Sequence, residues 1–139
     1  MAKPATLAEG KGLGQLVFRG KIFSGSGTGK HFIELPWVKS QIEQKIGFTP
    51  YLGTLNLQLT KKEEEKRKLL EPAKGIQIKP QEGYFSGVLF RANVEGVEAA
   101  IVIPLKPIYP KDVLEVIAPL YLREKLGEKK DRVIVTVTV

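Results

Sequence analysis

Residues 54–59, Thr-Leu-Asn-Leu-Gln-Leu, alternate strictly between polar and apolar side chains. An extended strand points successive side chains to opposite faces, so Leu55, Leu57 and Leu59 share one face and Thr54, Asn56 and Gln58 share the other. A helix would scatter the leucines around its axis, so this period admits only a strand with one buried side. Other β-rich runs recur between turn residues: QLVFRGKIFSG (15–25), GYFSGVLFRANV (83–94), VEAAIVIPL (97–105) and DRVIVTVTV (131–139). Gly96 supplies a turn between the second and third of these, and GIQIK (75–79) stands between turn residues as a short apolar segment. A further strand and a short helical turn are expected within residues 111–127, interrupted at Pro119. One amphipathic helix stands out over residues 35–47, with Pro36 in its first turn, apolar Trp37, Val38, Ile42 and Ile46, and Gly47 as its stop. The charged run from 61 to 71 reads as helical or irregular. Strands dominate and no long helix alternates with them, which predicts a mainly β, small closed barrel with one or two short helices.

At 139 residues the chain suits one domain, large enough to need no metal or disulfide staple. Residues 1–15 read as a flexible leader and residues 16–139 as a single barrel domain. With no cysteine in the sequence, a disulfide framework, a thiolate metal site and a catalytic thiol are all excluded. No apolar run is long enough to span a bilayer and the amino terminus has no signal-peptide centre, so a soluble cytoplasmic protein is expected. The net charge of +7 favours a polyanionic partner, either a nucleic acid or a nucleotide polyphosphate. In KKEEEKRK (61–68) the signs are mixed, as on a solvated face.

Two features bear on chemistry. SGSGTGKH (24–31) places glycines at alternate positions, where a backbone can approach an anion closely, and Lys30 adds charge. Ser24 and His31 break the Walker A pattern and Lys30 breaks the dinucleotide fingerprint, so the local alternative is a flexible hairpin turn. The second feature is the polar face of residues 54–58. Thr54 and Asn56 lie about 6–7 Å apart along one strand face. Their neutral oxygens suit a partly hydrated Mg²⁺ whose charge is met by phosphates, or else they hydrogen-bond a neighbouring loop. His31 is the sole histidine, so transition-metal chemistry is not expected.

Three segments taken together resemble the archaeal CTP-dependent riboflavin kinase family: GKIFSGSGTGKHFIELP (20–36), GFTPYLGTLNLQL (47–59) and AAIVIPLKPIYPKDVLEVIAPLYLRE (99–124). They span nearly all of the chain from about residue 16, and with only residues 1–15 before them the amino-terminal winged-helix domain of some relatives is not expected. The resemblance implies a six-stranded cradle-loop barrel, riboflavin kinase-like, that transfers the γ-phosphate of CTP to the ribityl 5′-hydroxyl of riboflavin. Its products would be FMN and CDP. By position, Ser26, Gly27, Thr28, Gly29, Lys30 and His31 would wrap the nucleotide phosphates, and Leu120, Tyr121, Leu122 and Arg123 would contact the nucleotide. Thr54 and Asn56 would hold Mg²⁺, while Glu115 would meet the flavin and accept the proton of the attacking hydroxyl. Where the family commonly has a flavin-contacting Thr, this chain has Pro107, which offers neither a hydroxyl nor a backbone donor; Tyr109 is the candidate replacement. A monomer with no nucleic-acid or membrane partner is expected. The alternatives are a nucleic-acid-binding β-barrel, against which the scattered aromatics speak, and a non-catalytic flavin-binding domain, against which Thr54, Asn56 and Glu115 speak.

Overall fold

The computed structural model describes residues 14–139. Seven strands, β1 (Gln15–Phe23), β2 (Leu55–Gln58), β3 (Ile76–Ile78), β4 (Gly87–Val94), β5 (Val97–Pro104), β6 (Val113–Ile117) and β7 (Arg132–Thr138), form one antiparallel sheet ordered β3-β4-β5-β6-β2-β1-β7. The far end of β4 also pairs with β7, from Ala92↔Val137 to Val94↔Val135. Six strands therefore close into the expected barrel, and β3 is an extra strand along the beginning of β4. The expected leader lies, up to residue 13, outside the described residues.

The β4–β5 hairpin turns through Glu95 and Gly96, both at positive φ, and the Asn93 side chain accepts from the Gly96 N–H at 2.8 Å. Left-handed residues at both central positions match the twist of the flanking strands. The preceding run is shorter than its composition suggests. Gly83 is left-handed and Tyr84 N–H bonds back to Gln81, so a turn precedes β4 and the strand starts only at Gly87.

Among the described residues there are four α-helices, α1 (Thr28–Glu34), α2 (Pro36–Ile46), α3 (Lys61–Arg67) and α4 (Leu122–Leu126), rather than one or two. The helix read from residues 35–47 is α2, with Pro36 at its start and left-handed Gly47 closing it. The charged run is helical as α3: the Thr60 hydroxyl caps Glu63 N–H, acids occupy the first turn and bases the last. The flexible-turn reading of residues 24–31 fails at its second half. Left-handed Gly27 ends the loop and α1 begins at Thr28. Seven residues are too few for a stable helix alone. What holds α1 is burial of Phe32 and Ile33, a tertiary contact that no local pattern announces.

The barrel wall separates two cores. Phe18, Leu55, Leu57, Phe90, Ile101, Leu114, Val116 and Val135 fill the interior. On the outer face, Leu89, Ala100, Val102 and Ile117 are covered by Phe32 and Ile33 of α1 and by Val38, Ile42 and Ile46 of α2. β6 is thus buried on both sides. Leu57, fully buried in the interior, makes a direct test of the period-two reading. Leu57→Ala is expected to lower unfolding free energy by about 2–5 kcal/mol, measured by denaturant titration.

Candidate active site

The outer face of the barrel carries one cross-strand row. Antiparallel register sets Phe23, Asn56, Glu115, Val102, Leu89 and Ile76 side by side across β1, β2, β6, β5, β4 and β3. Val102, Leu89 and Ile76 lie under α1 and α2; the other end of the row carries Asn56 and Glu115 beside Phe23. Two groups on the polar face of residues 54–58 donate to acids on β6 and its approach: Thr54 to Glu115, and Gln58, through its Nε2, to the Asp112 carboxylate at 2.8 Å.

Glu115 is 3 % exposed, and Glu63 is the other charged residue buried among those described. Its carboxylate receives three protein donors. The Gly29 N–H reaches Oε1 at 3.1 Å, the Tyr109 hydroxyl donates to the same oxygen, and the Thr54 hydroxyl donates to Oε2 at 2.8 Å. Burial, with the neighbouring carboxylate adding to it, pushes the Tyr109 hydroxyl far up, so Tyr109 remains a donor across the working pH range. A carboxylate offers about four acceptor positions, so with three filled one remains, on Oε2. Glu115 borders a cavity of about 180 Å³ whose walls include Phe23, Gly25, Ser26, Asn56, Tyr109 and Pro110.

The glycine segment reaches this site by close approach. A Cβ at Gly25 would lie closer than 3.0 Å to the Asn56 carboxamide, and one at Gly29 closer than 3.0 Å to the Glu115 carboxylate. Of the three alternating glycines, only Gly27 needs its freedom for a positive φ. The other two are small so that the loop and α1 can press onto the polar end of the row.

The residues singled out from sequence divide into groups. Ser26, Gly29, Thr54, Asn56, Tyr109 and Glu115 converge. Leu120, Tyr121, Leu122 and Arg123 line a narrow adjoining crevice of about 30 Å³ with Tyr51, Gly53 and Thr54, so Thr54 belongs to both places. There Tyr51 and Tyr121 stack at 5.1 Å, and Arg123 is committed to the backbone carbonyls of Glu128 and Lys130. Lys30 is exposed, and His31, its side chain 80 % exposed, faces Glu34 across 3.9 Å. With Ser26, Thr28, Phe32, Tyr84 and Lys106, His31 lines a separate cleft of about 280 Å³. Sequence reading missed Phe23, Gly25, Tyr51 and Pro110. Only Gly25 carried a signal, as the first glycine of the alternating run.

Thr54 and Asn56 fit a hard cation in donor type. The Thr54 hydroxyl spends its proton on Glu115, which leaves its lone pairs free for a cation. Among the described residues no cluster of three or more His, Cys, Asp or Glu could cage a metal, so the fit is to a partly hydrated ion and not to a carboxylate site.

The family model for CTP-dependent riboflavin kinases, described as domain of unknown function DUF120, matches residues 22–139. The chain belongs to the CTP-dependent riboflavin kinase family. Among similar proteins, the riboflavin kinase of Archaeoglobus fulgidus is 41 % identical over 120 residues, covering 84 % of this chain and 52 % of that protein. The riboflavin kinase of Pyrobaculum arsenaticum is 40 % identical over 115 residues, covering 78 % and 53 %. That of Methanosarcina acetivorans is 35 % identical over 125 residues, covering 87 % and 53 %. The chain thus spans about half the length of these curated relatives. The matched region of the family takes in β2 to β7 and the last two residues of β1. No helix among the described residues is long and apolar enough to cross a membrane.

Proposed function

We propose that residues 16–139 form a single catalytic domain that transfers the γ-phosphate of CTP to the ribityl 5′-hydroxyl of riboflavin, giving FMN and CDP. Family membership supports the substrates, and the observation that carries the chemistry is Glu115. It is a buried carboxylate held by three donors, with one acceptor position left beside a mostly apolar cavity. The ribityl end of riboflavin enters between Phe23 and Pro110, and its terminal hydroxyl donates to Glu115. The hydroxyl oxygen bonds to the γ-phosphorus as the bond from that phosphorus to the β–γ bridging oxygen breaks. CDP leaves with the electron pair and the hydroxyl proton passes to Glu115, then to solvent. A carboxylate so placed supplies the late proton acceptor that a primary alcohol needs.

The nucleotide lies along the wall from the Leu120–Arg123 crevice, past Thr54, to the Ser26–His31 segment, which surrounds the phosphates. Backbone groups of Leu120, Tyr121 and Leu122 read the cytosine edge. Thr54 and Asn56 hold Mg²⁺, which supplies charge neutralisation for the transferred group. Phosphoryl transfer asks the protein for alignment and electrostatics more than covalent chemistry, and a rigid row on a barrel wall offers that. Tyr109 and Glu115 form the inner limit of the flavin site. The protein acts as a cytoplasmic monomer with no nucleic-acid partner.

The test is to mix the protein with riboflavin, Mg²⁺ and each nucleoside triphosphate in turn, and to resolve FMN by chromatography. CTP is expected to exceed ATP by roughly 10⁴ in kcat/KM, because a wrong base leaves buried polar groups unpaired. No FMN with any nucleotide would overturn the reading, and equal rates with CTP and ATP would overturn the base recognition.

A further inference from the structure

Tyr109 has a second neighbour whose position connects the site to α3. Arg67, the last residue of that helix, lies with its guanidinium 6.0 Å from the Tyr109 ring centre and donates from Nε to the Val113 carbonyl at 2.9 Å. Val113 is two residues before Glu115 on β6, so one side chain touches both the strand that carries Glu115 and the tyrosine that bonds it. Burial lowers the Arg67 pKa, against the charges of Asp112 and Glu64. α3 is itself tied to the barrel, since Lys66 donates to the Val17 carbonyl of β1. Pro107 adds a reason for the arrangement. The turn that carries it has no hydroxyl at that position, and the hydroxyl nearest in sequence, on Tyr109, is turned onto Glu115.

We propose that Tyr109, braced by Arg67 of α3, is the positioning residue for Glu115, holding Oε1 so that the open acceptor position on Oε2 faces the substrate hydroxyl. The proposal rests on the kinase reading for its substrate, and on the geometry alone for the brace. Because Arg67 sits on a helix outside the catalytic row, α3 sets the orientation of the proton acceptor from beyond that row.

The Gly29 amide reports the brace directly. It occupies the first turn of α1, where a helix offers no carbonyl partner, and its acceptor is the same Glu115 oxygen that receives Tyr109. Tyr109→Phe keeps the ring over Arg67 and deletes only the donor. In the unliganded protein, amide exchange of Gly29 is expected to quicken roughly 10-fold or more, with α2 amides unchanged. In turnover of riboflavin with CTP, kcat is expected to fall roughly 10- to 100-fold, the range of one hydrogen bond to a charged group. KM for CTP should stay within about twofold, since no nucleotide contact changes. Arg67→Ala should repeat part of the kcat loss in the parent and add nothing in the Tyr109→Phe background; Arg67→Lys, which keeps the charge without the fork, should fall between.

Unchanged Gly29 exchange in Tyr109→Phe would overturn the proposal, as would kcat within twofold of an active parent or an equal Arg67→Ala loss in both backgrounds. A parent that makes no FMN would remove the kinase reading instead, and Gly29 exchange would then decide the brace alone.

Discussion

Glu115→Gln is expected to lower kcat for FMN formation by roughly 10²–10⁴, the usual contribution of a placed general base, with the barrel intact. The carboxamide keeps one oxygen to receive Tyr109 and Gly29. Its NH₂ then faces Thr54, whose hydroxyl can turn and accept in place of donating. The network therefore survives in altered form. What disappears is the fourth acceptor position, where the substrate hydroxyl is proposed to leave its proton. Single-turnover kinetics with riboflavin and CTP read the chemical step directly. A fall of less than about threefold would assign Glu115 the lesser role of orienting the hydroxyl.

Gly29→Ala should be nearly as damaging, by a steric route. An alanine Cβ would enter the space of the Glu115 carboxylate, which is buried and held by Gly29, Thr54 and Tyr109, so it can move aside only by giving up those donors. Either the carboxylate leaves its donors or α1 lifts from the sheet and uncovers Phe32 and Ile33. Overpacking of this kind costs about 1–3 kcal/mol of stability. Because the displaced group is the proposed proton acceptor, kcat should fall by roughly 10² or more, in line with the sensitivity of catalysis to misplacement near 1 Å. Thermal unfolding and turnover on one preparation separate the two effects. Wild-type turnover in Gly29→Ala would show that α1 does not press on Glu115.

The two substitutions bear on the same feature from opposite sides. Glu115 is the proposed acceptor, and the glycine segment, whose alternating pattern invites a phosphate reading, supplies the wall that confines it. In this structure the Gly29 amide is given to Glu115. The glycines at 25 and 29 are spacing elements for the acid and for Asn56, and the same segment is proposed to surround the phosphates beyond them.

Much of this was legible in the chain. Strict alternation over residues 54–59 names its buried leucines, because a strand's faces follow from covalent geometry and need no partner. Helix α2 is bounded by Pro36 and Gly47, whose backbone preferences are intrinsic. The candidates Thr54, Asn56 and Glu115 were likewise visible, the first two as unusual neutral groups and the third through a family resemblance. Tertiary structure decided what was not local. α1 exists because Phe32 and Ile33 find the outer face of the sheet, a contact between residues remote in sequence. Strand register alone put Asn56 opposite Glu115, since a shift of one residue would have turned either side chain into the barrel. Arg67 and Tyr109, 42 positions apart in the sequence numbering, meet only once β6 and α3 are docked. Local chemistry settles which way a side chain faces along its own strand, while the neighbours it faces are chosen by the closure of the barrel.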